Sequence, residues 1–234
     1  MDSNAMVSAL DAQRLDLLRS YVAETAHSEV VADILIEVSR RHPKHLRVKE
    51  LFETMESFAR IGQAIYDGYR QGQVRRIYDL ACGHGLLGIL FAWRFKDVEV
   101  VCVDRERRDA FDHYLNVAIE CGHRIENVKV TESDIREVQI QRRSFVVCIH
   151  ACNEATKIAL DSATRADVPF AAMPCCIRDG IYFRRMSHLD EQARYTAAVG
   201  VIAGLYGADK VTAIDVRITN RNLIVMKRVM GDGG

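Results

Sequence analysis

The residues with the clearest chemical potential lie in a glycine-rich segment in the first half of the chain. Residues 77–88 read Ile-Tyr-Asp-Leu-Ala-Cys-Gly-His-Gly-Leu-Leu-Gly, which places Gly83, Gly85 and Gly88 between two apolar runs. This order predicts a strand, a tight turn and a helix, with backbone N–H groups of the turn close to a ligand. The spacing fits a dinucleotide-binding fingerprint, but many strand-to-helix turns require glycine, so the neighbouring residues must decide the ligand.

Three carboxylates follow three successive predicted strands. Asp79 ends the first strand, Asp104 ends the second and Asp134 follows the third. A carboxylate at position 79 is unfavourable beside a pyrophosphate and favourable beside a sulfonium amino acid, which carries an ammonium group. Asp104 comes about 20 residues after the glycines, where an acid commonly holds ribose hydroxyls. Asp134 can accept a hydrogen bond from an adenine amino group.

With these residues and its predicted order of strands and helices, the sequence resembles the class I S-adenosylmethionine-dependent methyltransferases. Residues 79–85 are similar to the first motif of that family, commonly D/E-x-G-x-G-x-G, with Ala81 in place of the first glycine. The resemblance covers residues 76–229 and implies a seven-stranded sheet, S-adenosylmethionine as cofactor and a one-step methyl transfer. The cofactor-binding residues that it implies are, from the methionine end to the adenine, Asp79, Ala81, Gly83, Gly85, Asp104, Ser133, Asp134 and Ile135.

The acceptor side is predicted to follow the fourth and fifth strands. His150 or Glu154 could take a proton from an acceptor hydroxyl or amine. Cys152 and either Cys175 or Cys176 could face one pocket, as do the two cysteines used in cytosine C5 methylation of RNA, although a buried cysteine is more often a small apolar residue. The candidate catalytic residues are therefore His150, Cys152, Glu154 and Cys175.

Two segments on the acceptor side resemble a smaller group that includes tRNA ribose methyltransferases. They are a His-x-Cys-x-acid-x-Thr segment at 150–156 and a Pro-Cys-Cys segment at 174–176. Asn153 and Glu154 stand where that group often has glycine and aspartate. The Asp/Asn-Pro-Pro-aromatic motif of many amino-methylating enzymes is missing. The acceptor is RNA, a small molecule or a protein.

The elements that must position these residues form a helical region and an α/β region. Residues 1–75 show helical apolar spacing, most clearly over 47–71 and also near residues 10–22. From residue 76, five apolar runs alternate with helical stretches, and strand-like runs at 210–218 and 223–229 are joined by four residues, which predicts an antiparallel hairpin. We predict an N-terminal helical extension (1–75) and an α/β, Rossmann-like domain (76–234) with five parallel strands plus the terminal hairpin.

Composition narrows the class of protein. The 234 residues include 32 basic and 32 acidic side chains, and 49% are hydrophobic, which favours a globular protein and disfavours one that coats nucleic acid through net charge. No apolar run reaches the roughly 18–20 residues of a membrane span. No signal-peptide pattern opens the chain, and its seven cysteines form no Cys-x-x-Cys pair. These features predict a cytoplasmic protein without a membrane segment or a metal site.

Two other functions stay open. An NAD(P)-dependent oxidoreductase accounts for the glycines and Asp104, but not for Asp79, Asp134 or the terminal hairpin. A non-catalytic module on the same fold would bind the cofactor without transferring a methyl group. Pairs of arginines recur at the ends of predicted elements, at 40–41, 75–76, 107–108, 142–143 and 184–185. They would form a phosphate-binding surface if they shared a face. Oligomeric state is not indicated by any feature of the sequence.

Overall fold

The computed structural model describes residues 28–45, 47–152, 154–178, 180–182 and 188–229. Two helices come first, α1 (Ser28–Arg41) and α2 (Val48–Arg70). Helix α2 confirms the amphipathic helix predicted over 47–71, whereas the helix predicted near residues 10–22 lies outside the described residues. None of the described helices is both long and apolar enough to cross a bilayer.

A seven-stranded mixed sheet follows these two helices. Its strands are β1 (Arg76–Leu80), β2 (Glu99–Asp104), β3 (Val128–Glu132), β4 (Ser144–Ile149), β5 (Phe170–Met173), β6 (Lys210–Ala213) and β7 (Leu223–Lys227). The helices between them are α3 (Leu86–Arg94), α4 (Asp109–Glu120), α5 (Glu154–Ala166) and α6 (Glu191–Leu205). The strand order is β3-β2-β1-β4-β5-β7-β6. The first five strands are parallel and β7 is antiparallel to both β5 and β6, which confirms the predicted fold class.

Helices cover both faces of the sheet, so alternate residues of the strands enter two different cores. Ile77 packs with residues of α1 to α4 on one face, while Tyr78 packs with residues of α5 and α6 on the other. On the first face, Leu51 and Phe58 of α2 are 0% and 2% exposed. The sheet and α2 therefore share one hydrophobic core.

The connection between β6 and β7 is longer than predicted. The pairing is antiparallel as expected, but β6 ends at Ala213, and residues 214–222 form a loop in place of a four-residue turn. Asp215 causes the early end of the strand, because its carboxylate accepts the backbone N–H of Arg217 at 2.8 Å and its carbonyl accepts that of Ile218 at 3.0 Å. Such a local turn competes with strand pairing. The loop that results reaches the edge of the sheet where the cavity opens.

Candidate functional site

A cavity of about 1190 Å³ opens at the carboxyl ends of the central strands. Strand β1 lies between β2 and β4, so the strand order reverses at this point, which is where open α/β sheets bind ligands. The residues that follow β1, β4 and β5 form one part of the wall. The end of β2, helices α2 and α6 and the loop 214–222 also contribute lining residues.

The glycine turn after β1 has a backbone that only small residues tolerate. Ala81, Gly83 and Gly85 have φ angles of 56°, 58° and 70°, in the left-handed region. A Cβ atom at Gly85 would lie 2.4 Å from Cδ2 of Phe111, so the close approach of α4 requires glycine there. Ala81 carries the left-handed conformation at a cost of about 1–2 kcal/mol. Ala81 thus adopts the left-handed conformation that glycine favours.

Asp104 connects this turn to the end of β2. The backbone N–H of Gly83 donates a hydrogen bond to Oδ2 of Asp104 at 2.8 Å. Asp79, Ala81, Gly83 and Asp104 all line the cavity. The structure therefore brings together four of the predicted cofactor-binding residues, while Gly85 shapes the turn behind them.

Asp79 is a buried carboxylate with an unsatisfied atom. The residue is 2% exposed, and its Oδ2 atom has no hydrogen-bond partner among the described residues. Burial raises the pKa of Asp79 to about 7; the nearby N–H of Gly88 opposes the shift and the charge of Asp104 adds to it. An unsatisfied buried polar atom is costly, and an ammonium group at this position would satisfy it. The site therefore fits a ligand with an amino-acid end, such as S-adenosylmethionine.

Replacing Asp79 with asparagine should stabilise the ligand-free protein at high pH. The folded-state pKa lies above the unfolded value, so stability is highest below about pH 4 and falls as pH rises to about 7. At 1.36 kcal/mol per unit, Asp79 should cost up to about 4 kcal/mol in unfolding free energy, a cost that Asp79→Asn removes. Chemical denaturation at about pH 4 and pH 8 measures this difference. The control variant Asp97→Asn, at an exposed position, should keep the pH dependence of the wild type. Equal pH dependence in wild type and Asp79→Asn would contradict the prediction.

The loop predicted to contact adenine lies outside the cavity lining. Asp134 accepts the backbone N–H of Arg136 and a guanidinium hydrogen bond from Arg105, both at 2.9 Å. These contacts lower its pKa, the Arg136 N–H contributing most. Ser133 does not line the cavity either, and Ile135 is buried in the core. The adenine contact of this loop stays a prediction.

His150, which directly follows β4, contacts a carboxylate from α2. It has a left-handed φ of 55°, and its Nε2 atom lies 3.0 Å from Oε1 of Glu53, whose side chain is 4% exposed. The separation is that of a hydrogen bond, but the orientation is not, as is common at catalytic sites without substrate. Burial acts to raise the pKa of Glu53, yet the contacts with His150 and Lys49 outweigh it and lower the pKa. Glu53 is therefore an anion beside the imidazole.

Sequence reasoning did not find Glu53. Both Glu53 and Lys49 line the cavity, and Lys49 Nζ lies 2.6 Å from the Glu53 carboxylate. A signal was present, because Glu53 falls among the apolar positions of the amphipathic pattern over 47–71, next to Met55 and Leu51. An acid on the buried face of a helix needs a partner.

Of the other acceptor-side residues, two predicted cysteines reach the cavity and one acid does not. Cys152 and Cys175 line the cavity together with Cys176, and the Sγ atoms of Cys152 and Cys175 are 3.3 Å apart. Glu154 begins α5 with its side chain 72% exposed, 3.6 Å from Arg136, and it does not line the cavity. The structure thus groups His150, Cys152 and Cys175, and leaves Glu154 outside.

Comparison with known proteins gives one family match. A family model described as "Methyltransferase domain" matches residues 44–179, which is more than half of the chain. No curated protein matches the chain. Among solved structures, the chain is similar to magnesium protoporphyrin IX methyltransferase from Synechocystis PCC 6803 with bound S-adenosylhomocysteine, at 16% identity, 74% coverage of this chain, 83% of that chain and a TM-score of 0.47. It is also similar to the tRNA (uracil-54, C5)-methyltransferase of Pyrococcus abyssi, at 16% identity, 71% and 37% coverage and a TM-score of 0.43.

The family match includes α2 and the strands and loops that form most of the cavity wall, but not α6 or the loop 214–222. It begins just before α2, contains the glycine turn and Asp104, and ends after Cys176. The resemblance of residues 76–229 to S-adenosylmethionine-dependent methyltransferases is confirmed. The chain belongs to the methyltransferase-domain family, among the class I S-adenosylmethionine-dependent methyltransferases.

Proposed function

We propose that the protein transfers a methyl group to a hydroxyl group of an RNA acceptor. The observation that carries this proposal is the contact between His150 and the buried carboxylate of Glu53 in the cavity wall. It places an imidazole beside an anion, in the same cavity as the glycine turn and Asp104.

The cofactor end of the cavity suits S-adenosylmethionine. Asp79 would hold the ammonium group, the N–H groups of the glycine turn the carboxylate, and Asp104 the ribose hydroxyls. When bound, this cofactor supplies a methyl group on a positively charged sulfur. A dinucleotide would instead place a pyrophosphate beside Asp79, where charge repulsion disfavours it.

His150 is suited to accept the proton of a hydroxyl. An anionic Glu53 favours the tautomer that directs Nε2–H toward it, which leaves Nδ1 as the proton acceptor. The left-handed backbone of His150 costs about 1–3 kcal/mol, and such strain clusters at functional sites. In this arrangement His150 is the catalytic base and Glu53 is a positioning residue.

The cysteines do not support the alternative of cytosine C5 methylation. Cys152 and Cys175 touch each other at 3.3 Å, which leaves no space for a pyrimidine ring between them. Burial raises the pKa of Cys175, and the neighbouring thiols Cys152 and Cys176 raise it further. A thiol of this kind is a poor nucleophile near neutral pH.

Arginines on the cavity wall favour an acceptor that carries phosphate groups. Arg178 follows the cysteines and Arg194 belongs to α6; both line the cavity, and neither forms an ion pair among the residues that the structure describes. The Nε atom of Arg194 is also buried without a hydrogen-bond partner among them. Guanidinium groups bind phosphate oxygens strongly, and a polyanion provides several of them.

The arginine pairs noted in the sequence contribute little to this surface. Arg40, Arg41, Arg76 and Arg107 each pair with an acidic side chain. The pair at 184–185 lies outside the described residues. Arg108 is the one member, among the described pairs, that lines the cavity. The phosphate-binding surface is therefore built from single arginines of different elements.

Transfer of labelled methyl groups to total RNA, protein and small-molecule fractions tests the proposal. We expect label in RNA, and at least about tenfold less with Arg178→Glu combined with Arg194→Glu, while S-adenosylhomocysteine binding is retained. Arg165→Glu is the matched control, because Arg165 is exposed, lies outside the cavity and forms no ion pair with any residue that the structure describes. Label only in protein or small molecules would overturn the RNA acceptor. Cofactor binding without label in any fraction would favour the non-catalytic module.

A further inference from the structure

Three thiols meet at one point of the cavity wall. The Sγ atom of Cys152 lies 3.3 Å from that of Cys175 and 3.5 Å from that of Cys176, and the latter two are 3.6 Å apart. The triangle is nearly equilateral, and all three residues line the cavity. The proposed methyl transfer uses none of them.

These distances are close to those of a thiolate metal site. A tetrahedral Zn²⁺ ion with Zn–S bonds of about 2.3 Å separates its sulfur ligands by about 3.8 Å. Each sulfur would need to move outward by only a few tenths of an ångström. Three sulfurs within bonding reach of one point form a ligand set that soft divalent ions prefer.

The backbone holds the three cysteines in place. Cys152 follows β4 and the other two follow β5, and these strands pair in parallel up to Ile149 and Met173. The N–H of His150 donates to the carbonyl of Met173 at 2.9 Å, which continues the ladder to the first residue of the loop. One cysteine comes from the loop after β4 and two adjacent cysteines come from the loop after β5. This arrangement has no Cys-x-x-Cys spacing, so the sequence criterion for metal sites does not detect the cluster.

We propose that Cys152, Cys175 and Cys176 bind a thiophilic divalent cation such as Zn²⁺, with its fourth coordination position facing the cavity. Binding would convert three thiols to thiolates and release three protons to solvent. The three-thiolate site would carry one net negative charge, and Arg178, which lines the same cavity, carries the opposite charge. An open fourth position is typical of ions that bind water or substrate.

Titration of the purified, reduced full-length protein with Co²⁺ tests this site. We expect one ion per chain, with the absorption of thiolate-bound Co²⁺, and displacement of Co²⁺ by Zn²⁺. Because loss of an outer-shell contact alone weakens metal binding 10–100-fold, each of Cys152→Ser, Cys175→Ser and Cys176→Ser should weaken it by at least about 100-fold. Cys121→Ser, at the end of α4, is the matched control and should bind as wild type does.

Several outcomes would overturn the proposal. The first is the absence of thiolate–Co²⁺ absorption, and the second is an unchanged Co²⁺ affinity in the three serine variants. The third is that the purified protein contains a Cys152–Cys175 disulfide and still binds no Co²⁺ once that disulfide has been reduced. S-adenosylhomocysteine binding by the serine variants shows that they are folded. The titration needs neither an acceptor nor methyl transfer, so its failure and the failure of the RNA proposal are distinguishable.

Discussion

Replacing Asp104 with alanine is expected to weaken S-adenosylhomocysteine binding by about 100-fold or more. Asp104 lies on the cavity wall and accepts the N–H of Gly83 at 2.8 Å. Its carboxylate is expected to accept hydrogen bonds from both ribose hydroxyls, and bonds to a charged group contribute about 1.5–3 kcal/mol each. The variant loses these bonds and also loosens the glycine turn. Calorimetric titration with S-adenosylhomocysteine measures the difference.

Glu106→Ala is the matched control for this experiment. Glu106 is exposed, lies two residues further along the chain and does not line the cavity. Glu106→Ala and Asp104→Ala each remove one negative charge, so a general electrostatic effect on binding would appear in both variants. Thermal denaturation establishes that Asp104→Ala is folded. Wild-type affinity in a folded Asp104→Ala protein would show that the ribose is bound elsewhere.

Replacing His150 with asparagine is expected to lower the turnover number for labelled methyl transfer to RNA by about 10²–10⁴-fold, the usual contribution of a general base. Asparagine tolerates the left-handed conformation of this position but cannot take up the proton. Cofactor affinity should change little. Glu53→Gln should lower turnover less and shift its pH profile, because it removes the negative charge beside the imidazole without removing the base.

A second histidine–carboxylate pair provides the control. Nε2 of His123 lies 3.1 Å from Oδ2 of Asp33, away from the cavity lining. His123→Asn and Asp33→Asn repeat the chemical changes at a similar contact and should leave turnover unchanged. A fully active His150→Asn protein would exclude this residue as the base. A Glu53→Gln variant with the wild-type pH profile would exclude a positioning role for Glu53.

The sheet and the cofactor end could be predicted because their signals are local. The alternation of apolar runs with helical stretches indicates parallel strands, and the glycines between residues 77 and 88 mark the turn after β1. Asp79 and Asp104 end buried strands, so the topology brings them to one edge. Each of these inferences needs only the order of neighbouring residues and the general rule for ligand sites in open sheets.

The acceptor side could be predicted only in part, because it depends on contacts between distant segments. His150, Cys152 and Cys175 line the cavity as predicted, whereas the partner of His150 was missed. Glu53 reaches His150 only after α2 packs on the sheet. The three cysteines meet only because the loops after β4 and β5 are adjacent. The extent of the loop 214–222 depends on the hydrogen bonds of Asp215, which outweigh the strand-like apolar pattern of the segment.

Docking of helix α2 has a thermodynamic consequence for the activity. Glu53 belongs to the helix and His150 follows a sheet strand, so the oriented base exists only in molecules whose helix is docked. A ligand that contacts both therefore selects that state, and its apparent dissociation constant increases as the docked fraction falls. A ligand that contacts the sheet alone leaves the docking equilibrium unchanged. Any change that undocks α2 is thus expected to lower methyl transfer.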